Sequence, residues 1–475
     1  MSKYTKLLSN TAILGAGTFI SKVLVFLLMP LYTLLLSTEQ FGTADILTQT
    51  ANLLIPLAAL GISDGLFRFA LDTKGESRKE VFTTALSVVV IGILPLAAII
   101  QLLRLVDIYD GYVWLILFYI CAANLHLVCA NYLRACDKTK AFALQGIVNT
   151  VLTILLNVLF LVVLDLGVLG YVLSVAVADT LITVAIFFIC RLYRDISFKR
   201  KEKGLLTRML KFSIPYIPTT MMWMITSASD RFIVTAFAGA AENGLYAAAY
   251  KLPTLISLAG GVFIEAWQFS SVSDSEPEER AKFFGTVYRN YMGIIFMGTS
   301  VLIAGSKILT TLLLADSYYS SWKYVPVLAI AMIFSAFSAF MGSVYFLEKR
   351  SMRSFVTASV GALTNIVLNF ALIPSFGAMG AAVATAISYM AAFVIRAIDT
   401  SKYLKFSLCI PRLVINTVLI IAQTVLMLLD LPNFTHRVII QLVIVAIFAL
   451  YNGKEIFSTV IGILKKFLGE KSKNI

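Results

Sequence analysis

The chain has 475 residues, of which 59% are hydrophobic and only 14% are charged, whereas a soluble domain has about 25% charged residues. Apolar runs long enough to cross a hydrocarbon core of about 30 Å recur throughout, which excludes a soluble fold and predicts an all-α polytopic membrane protein. The net charge of +13 is carried mainly by short loops, so it argues for an oriented membrane protein and against a nucleic-acid partner.

We predict about 14 transmembrane helices, and an even number places both termini on one side of the membrane. They cover about 11–36, 43–66, 81–103, 112–133, 142–164, 168–190, 212–238, 244–269, 283–304, 322–347, 354–373, 377–398, 410–429 and 434–451. Most of the 39 Lys and Arg residues fall in loops that this arrangement assigns to the inside; the outside loops hold only Arg104, Lys307, Lys323 and Arg437. The asymmetry follows the positive-inside rule and predicts that both termini are cytoplasmic.

The basic segment 191–211, RLYRDISFKRKEKGLLTRMLK, is the largest gap between apolar runs and is predicted to be a cytoplasmic linker. It separates an N-lobe at 1–190, with spans one to six, from a C-lobe at 212–400, with spans seven to twelve. Spans thirteen and fourteen follow at 401–453. Residues 454–475 form a basic amphipathic tail that is predicted to lie along the cytoplasmic leaflet.

The two halves resemble each other in sequence. In the first, LRACDKTKAF precedes a span with Asn157 and GVLG opens the next span; in the second, FLEKRSMRSF, Asn369 and GAMG follow in the same order. EQFGTADI around Gly42 likewise corresponds to AENGLYAA around Gly244. Six spans separate equivalent points, so the repeats are parallel, an arrangement that commonly places a substrate at the repeat interface.

Several ionisable residues are predicted at bilayer depth, where each costs about 2.5–3.5 kcal/mol on insertion scales and so should face a partner or a cavity. The end of the second span, GISDGLFRFA, puts Asp64 and Arg68 at i,i+4, a spacing that lets them pair. The candidate substrate-binding cations and their neighbours are Lys22, Arg68, Asp230, Arg231, Lys251, Glu265 and Arg289.

The cations suggest the chemistry of a ligand. Lys22, Arg231 and Lys251 come from spans that begin the two lobes, and we expect them to line one central space, with Arg68 at its cytoplasmic mouth. Such a space would attract a polyanion such as a diphosphate, since Arg matches phosphate oxygens bidentately. The alternative is that the nearby acids simply neutralise these cations, or that the long side chains reach the interface.

Other chemistry is sparse in the sequence. There is no Walker A, HExxH or GxSxG motif, and the five cysteines form no CxxC pair, so we expect neither an enzyme, a bound cofactor, a metal site nor a disulfide. The parallel repeats suggest a transporter, and without a nucleotide-binding motif its transport would be driven by a gradient or by consumption of the transported substrate. Asp64 and Asp179 are the candidates for coupling to H⁺ or Na⁺. His126, in mid-span, is expected to be satisfied by a neighbour, with a proton relay as the alternative.

Four segments carry a family resemblance: GISDGLFRFA, LRACDKTKAF, SDRFIV and ENGLYAAAYKL. They resemble the corresponding segments of Wzx-type oligosaccharide flippases, in the polysaccharide-transporter branch of the multidrug/oligosaccharidyl-lipid/polysaccharide (MOP) exporter superfamily. The resemblance covers nearly the whole chain. It implies a V-shaped, MATE- and MurJ-like fold that moves an undecaprenyl-diphosphate-linked oligosaccharide between leaflets of the bacterial cytoplasmic membrane. Membrane lipids, a polysaccharide polymerase and glycosyltransferases are the partners that it implies.

Three other functions remain open from the sequence. A MurJ-type lipid II flippase also has fourteen spans and a cationic cavity. A MATE-type drug or cation antiporter usually has twelve spans and an acidic site in its first lobe, and it is disfavoured because the first span offers Lys22 and no acid. A membrane scaffold without transport activity would tolerate the combined neutralisation of Lys22, Arg231 and Lys251.

Overall fold

The computed structural model describes residues 26–136, 138–197, 204–270, 277–348, 350–429 and 433–471. In this part of the chain the regular elements are all helical, and no residue is in a strand. A helix satisfies its backbone N–H and C=O groups internally, which the apolar interior of a membrane requires of any spanning segment. The all-helical polytopic fold predicted from the sequence is therefore confirmed.

The helices follow one another with short connections. The first ten are α1 (Met29–Leu35), α2 (Thr38–Ala58), α3 (Ile62–Asp72), α4 (Glu76–Ile99), α5 (Val113–Ala135), α6 (Thr139–Asn157), α7 (Gly167–Ile189), α8 (Leu205–Ser213), α9 (Ile217–Ala238) and α10 (Ala240–Lys251). The remaining six are α11 (Thr254–Ser270), α12 (Pro277–Leu313), α13 (Val325–Leu347), α14 (Ser351–Thr400), α15 (Ile410–Leu428) and α16 (Phe434–Lys471).

Nine helices of the described chain are long and apolar enough to cross a membrane, or ten if α2 and α3 form one span bent by 48°. The bend lies at Leu60 and Gly61, which both have positive φ. Within α14, Gly377 has φ 54°, so this element contains two helices that correspond to predicted spans eleven and twelve. Helices α9 to α11 cover predicted spans seven and eight. Most of predicted span one, 11–36, is outside the described residues.

The described residues form two compact units that divide between Ala247 and Ala248, inside α10. Unit 1 thus includes α8 and α9 because α8 packs on α3 and α9 packs on α2. This boundary differs from the predicted linker at 191–211, of which the structure describes the short 3₁₀ segment Leu192–Asp195 and the start of α8. The two lobes, as bodies that move against each other, remain a prediction.

One face of α2 is part of the core of unit 1. Ala44, Leu47 and Ala51 are fully buried in a hydrophobic cluster with side chains of α5 and α7. The i, i+3, i+7 spacing of these residues places them on one side of the helix, which fixes its rotation about its own axis. As a result, the side chains at 45, 49 and 52 are presented on a different face.

Unit 2 is organised around α12. Gln423 of α15 donates to the Ser300 carbonyl at 3.0 Å and to Gln441 of α16 at 3.0 Å, so the last two spans are joined to α12 by buried hydrogen bonds. Helix α16 continues without a break to Lys471, and the predicted tail therefore extends the last span instead of starting a new helix. Its position along a leaflet remains a prediction.

The internal repeat is visible in local geometry. Gly167 and Gly377, which open equivalent spans, have φ values of 52° and 54°. Asn157 and Asn369, at equivalent points before them, are both fully buried. The first repeat is longer between these points, and it contains the π-helical segment Val158–Val163. The two halves therefore share turn geometry as well as sequence.

Candidate functional site

A cleft of about 360 Å³ lies between α2 and α9 in unit 1. Its lining combines apolar side chains with four uncharged polar ones, Gln49 and Asn52 from α2 and Thr220 and Ser227 from α9. Among the described residues that line it, none is charged. This cleft therefore differs from the cationic central space that the sequence predicts.

Helical spacing explains why these side chains converge. Gln49, Asn52 and Pro56 are separated by three and four residues, so they share one face of α2. Pro56 has no N–H, and the regular helical hydrogen bond to the Asn52 carbonyl is consequently lost beside the cleft. The residues Thr220 and Ser227 likewise share one face of α9. The two faces together offer amide and hydroxyl groups that can both donate and accept hydrogen bonds.

An ion pair lies one helical turn beyond the cleft, toward the end of unit 1 that is predicted to face outward. Arg231 donates from Nη1 to Oδ1 of Asp45 at 2.5 Å, and the two side chains are only 6% and 7% exposed. Asp45 precedes Gln49 by four residues on α2, and Arg231 follows Ser227 by four on α9. The sequence predicts that Arg231 is a cavity cation; the structure gives it a buried acidic partner.

Neighbouring polar contacts hold α9 in place at this level. Asp230 accepts hydrogen bonds from the Tyr246 hydroxyl at 2.5 Å and from the Arg231 backbone N–H at 2.8 Å. Asp45 Oδ2, by contrast, is buried with no hydrogen-bond partner among the described residues. The Asp45 carboxylate is thus only partly satisfied, and a buried charge in that situation loses part of the stabilisation that water would provide.

Two glycines that are equivalent in the repeat meet beside this pair. A Cβ atom at Gly42 would overlap the Ala240 carbonyl oxygen, and one at Gly244 would overlap the Thr38 carbonyl oxygen. Asn243 donates from Nδ2 to the Gly42 carbonyl at 3.1 Å. The start of α2 and the start of α10 therefore cross at backbone contact, in a nearly symmetric way. We call Gly42, Asp45, Arg231, Asn243 and Gly244 the outer contact.

The remaining predicted cations are dispersed. Arg68 pairs with Asp72 at 3.4 Å on the surface of α3, although its spacing also allowed a pair with Asp64, and Asp64 itself is exposed. Lys251 is half-buried at the end of α10. Arg289 is exposed on α12 in unit 2.

The side chains of two predicted site residues lie outside the described part of the chain. Lys22 is outside the described residues, and Glu265 belongs to α11 but its side chain is outside the described part. Their predicted roles remain predictions.

A second polar cluster in unit 1 is buried between α5, α6 and α7. His126 Nδ1 lies 3.1 Å from Oδ1 of Asp179, and its Nε2 lies 2.7 Å from Oε1 of Gln145. Asn149 donates to the same Asp179 oxygen at 2.8 Å. The expectation that His126 has a polar neighbour is confirmed. Asp179 and His126, for which the sequence predicts separate roles, form one hydrogen-bonded group.

Two features were not predicted from the sequence: Asp45 as an ion-pair partner and the four polar residues of the cleft. One signal was available for the latter. Gln49 and Asn52 are unpaired amides at i,i+3 inside an apolar span, a placement that favours a cavity or an interhelical hydrogen bond. Nothing local indicated that Asp45 would meet a residue 186 positions away.

Comparisons with known proteins bear on the family and the fold of the chain. The sequence model described as "Polysaccharide biosynthesis protein" matches residues 7–267. The structure is similar to that of the lipid II flippase MurJ in an inward closed conformation, with a TM-score of 0.71 and 14% identity over 95% of this chain and 100% of that one.

Two multidrug or related transporters also match in fold. An inward-facing multidrug resistance MATE family transporter of the MOP superfamily gives a TM-score of 0.65 and 16% identity over 80% of this chain and 95% of its own. A MOP superfamily transporter from Pyrococcus furiosus gives 0.57 and 14% over 83% and 95%. No curated protein matches the sequence at a significant level.

Proposed function

The chain belongs to the polysaccharide biosynthesis protein family, and from that premise we propose that it flips an undecaprenyl-diphosphate-linked oligosaccharide from the inner to the outer leaflet by alternating access. Its fold is that of MOP superfamily transporters. The bacterial cytoplasmic membrane, with both termini on the cytoplasmic side, is the proposed location. The polymerase and glycosyltransferases of surface polysaccharide synthesis are the proposed partners.

The observation that carries the proposal is the uncharged polar cleft between α2 and α9. A sugar presents hydroxyl groups that need both donors and acceptors, which amide and hydroxyl side chains supply. Apolar residues line the rest of the cleft, as is usual in small-molecule sites where a few polar groups give specificity. A lipophilic drug cation would gain little from Gln49 and Asn52 and would lack an acidic partner among the described lining residues.

The outer contact supports alternating access. It joins α2 to α9 and α10 directly beyond the cleft, so a ligand in the cleft could leave on that side only after the contact separates. Charged groups that must separate into water are well suited to such a role, because water solvates both of them once they part.

We propose that cations outside this cleft bind the diphosphate. Lys22 and Lys251 remain the candidates, with Arg68 at the predicted cytoplasmic mouth, because the sequence predicts that these cations line or border the central space. Asp230 and Arg231 are proposed to act on the closure of the cleft instead of contacting phosphate oxygens, since the structure places them in buried hydrogen bonds.

Lipid II flipping is the second candidate, because the structural match to MurJ extends over the whole of that protein. The two cargoes share a lipid diphosphate and differ in the attached group, a peptide-bearing disaccharide in one case and an oligosaccharide in the other. Purified protein in proteoliposomes should therefore be tested with both cargoes, fluorescently labelled, under the same conditions. Flipping of oligosaccharide-linked lipid alone supports the first proposal, and flipping of lipid II alone replaces it.

The polar cleft can be tested directly in this assay. Replacing both Gln49 and Asn52 by leucine keeps the volume and removes the hydrogen bonds, so we expect flipping to fall by roughly 5–150-fold, since two net bonds contribute about 1–3 kcal/mol. Gln101→Leu is the matched control, because Gln101 is an exposed amide outside the cleft. Equal rates for the double variant and the control, with normal expression, would exclude the cleft as a sugar site.

We infer that proton coupling, if transport is gradient-driven, occurs at the buried group of His126 and Asp179. A carboxylate in contact with an imidazole can exchange a proton without leaving an unpaired charge in the membrane. The polar or titratable groups that face it are Gln145 and Asn149 from α6 and Tyr119 from α5. A proton is favoured over Na⁺ because the histidine already occupies one carboxylate oxygen. Asp64, exposed on α3, is the second candidate.

Removal of the Asp179 carboxylate should abolish the response of flipping to a proton gradient. In proteoliposomes, Asp179→Asn is expected to remove the acceleration of flipping by an imposed proton gradient while leaving slow flipping without a gradient. The Asp107→Asn variant is the control, since Asp107 is an exposed carboxylate in the connection between α4 and α5. An unchanged response of Asp179→Asn to the proton gradient, or acceleration of the wild type by a Na⁺ gradient alone, would contradict proton coupling at this group.

A further inference from the structure

Three cations converge on a second cleft, which lies within unit 2. Its volume is about 280 Å³, and it is formed by the first turns of α12 and the segment that connects α14 to α15. Lys282 and Arg289 of α12 and Lys405 of the connecting segment line it, together with the hydroxyl-bearing residues Thr286 and Ser407. Among the described residues that line this cleft, none is acidic. The cleft therefore has the composition of an anion site.

The cleft is held in shape by close packing. At Gly285 an added Cβ would lie 3.3 Å from the backbone nitrogen of Ser407, so the connecting segment approaches the α12 backbone closely. Phe406 inserts its ring next to those of Phe284 and Tyr288, at centroid distances of 5.7 and 6.0 Å. The segment is thus anchored in the aromatic core of unit 2, which fixes Lys405 opposite α12.

The three positive charges have no acidic side chain within ion-pair distance in the described part of the chain. Lys282 and Arg289 share one face of α12, two turns apart, and Lys405 lies in the same cleft. Like charges gathered in one cleft repel each other, and a bound anion removes that repulsion. Their side chains are exposed, so a ligand can reach them without rearrangement of the fold.

Apolar neighbours indicate where this cleft lies relative to the membrane. Phe283 is 48% exposed beside Lys282, and Ile410 and Val414 are 60% and 52% exposed at the start of α15. Exposed apolar side chains next to cations are typical of the boundary between acyl chains and headgroups. Both chain segments also belong to the side predicted to be cytoplasmic. Basic pockets between spans on that side bind anionic headgroups in other membrane proteins.

We propose that Lys282, Arg289 and Lys405 bind the phosphate of an anionic phospholipid headgroup in the cytoplasmic leaflet. The Thr286 and Ser407 hydroxyls would donate to the remaining phosphate oxygens. This lipid is distinct from the cargo, because the site lies in unit 2 at the membrane interface and its lining includes none of the residues of the cleft in unit 1. It would fix the start of α15 on α12 in membranes that contain such lipids.

The test uses the full chain, purified and placed in nanodiscs of neutral phosphatidylcholine, with phosphatidylglycerol added as the probe and bound lipid counted by native mass spectrometry. For the triple variant Lys282→Gln, Arg289→Gln, Lys405→Gln we expect about 100-fold weaker binding, given the contribution of each basic residue to headgroup attraction. Lys405→Gln alone should weaken binding about fivefold, which keeps the test informative if the triple variant is unstable.

The control triple variant is Lys74→Gln, Lys140→Gln, Lys211→Gln, which removes the same charge from exposed sites in unit 1. Its binding should change by less than about threefold. Equal losses in both triple variants would overturn the proposal, because they would show only the effect of net charge. Displacement of phosphatidylglycerol by millimolar inorganic phosphate would also overturn it, because the site would then serve free phosphate.

Discussion

Substitution of Gly42 by alanine is expected to open the outer contact. The added Cβ would overlap the Ala240 carbonyl oxygen, so the starts of α2 and α10 cannot keep their backbone contact. Overpacking of this kind costs about 1–3 kcal/mol, which shifts the balance between closed and open arrangements by roughly 5–150-fold. Flipping should fall accordingly, because the closed arrangement that receives cargo from the inner leaflet becomes scarce.

Opening of the outer contact can be measured by the accessibility of the cleft to a labelling reagent. A cysteine placed at Ser227, in a variant whose five native cysteines are replaced, would report on the cleft. A membrane-impermeant maleimide added from outside should label it slowly in the parent protein and roughly 5–150-fold faster with Gly42→Ala. The matched control is Gly146→Ala, since a Cβ atom at this helical glycine of α6 would meet nothing within 4 Å.

Because α2 and α10 cross in a nearly symmetric way, the glycine of α10 can be tested in the same manner. Gly244→Ala should have an effect of similar size, since its Cβ would overlap the equivalent carbonyl oxygen, that of Thr38. Once one substitution has separated the helices, the second meets less resistance, and the double variant should show less than the sum of the two effects. Slow labelling in both single variants, in folded protein, would rule out the outer contact as a closure.

Much of the fold could be predicted from the sequence because the signals are local. The apolar runs, the basic loops and the glycines of the repeat each depend on a few neighbouring residues. Gly167 and Gly377 were recognised as equivalent from GVLG and GAMG, and their matching positive φ values follow from the same turn. The crossing of Gly42 and Gly244 joins two segments that the sequence had already matched, although it did not show that they touch.

The site could be predicted only in part, because the sequence does not determine which acidic residue pairs with each arginine. Arg68 has Asp64 four residues before it and Asp72 four residues after it, so helical spacing allows either pair. The structure selects Asp72. For Arg231, the true partner Asp45 is separated by 186 positions, and only the packing of α9 on α2 brings them together. Charge alone therefore suggested an anion site where the structure has a closed ion pair.

Substitutions at the ion pair of Asp45 and Arg231 are expected to affect stability and transport differently. Asp45→Ala should lower the free energy of unfolding by about 3–5 kcal/mol, because it leaves the buried guanidinium without its carboxylate. Replacing both residues by leucine should recover most of that loss, since apolar contacts often substitute for a buried pair at no net cost.

Transport should respond differently in the double variant. If the outer contact must separate during each cycle, two leucines would expose apolar surface to water where two charges would have been solvated. Burial of two such side chains stabilises the closed arrangement by about 3–6 kcal/mol, so flipping should remain at least about tenfold below the wild type despite restored thermal stability.

The control for this experiment is the exposed pair of Glu76 and Lys79, with an Oε1–Nζ distance of 3.1 Å. Glu76→Gln with Lys79→Gln should change stability by less than about 1 kcal/mol and leave flipping unchanged, since exposed pairs contribute little. Thermal unfolding and flipping are to be measured on the same preparations. A leucine double variant that recovers both stability and transport would show that the pair only fills space. Recovery of stability without recovery of transport is the outcome expected if separation of the charges is a step of the cycle.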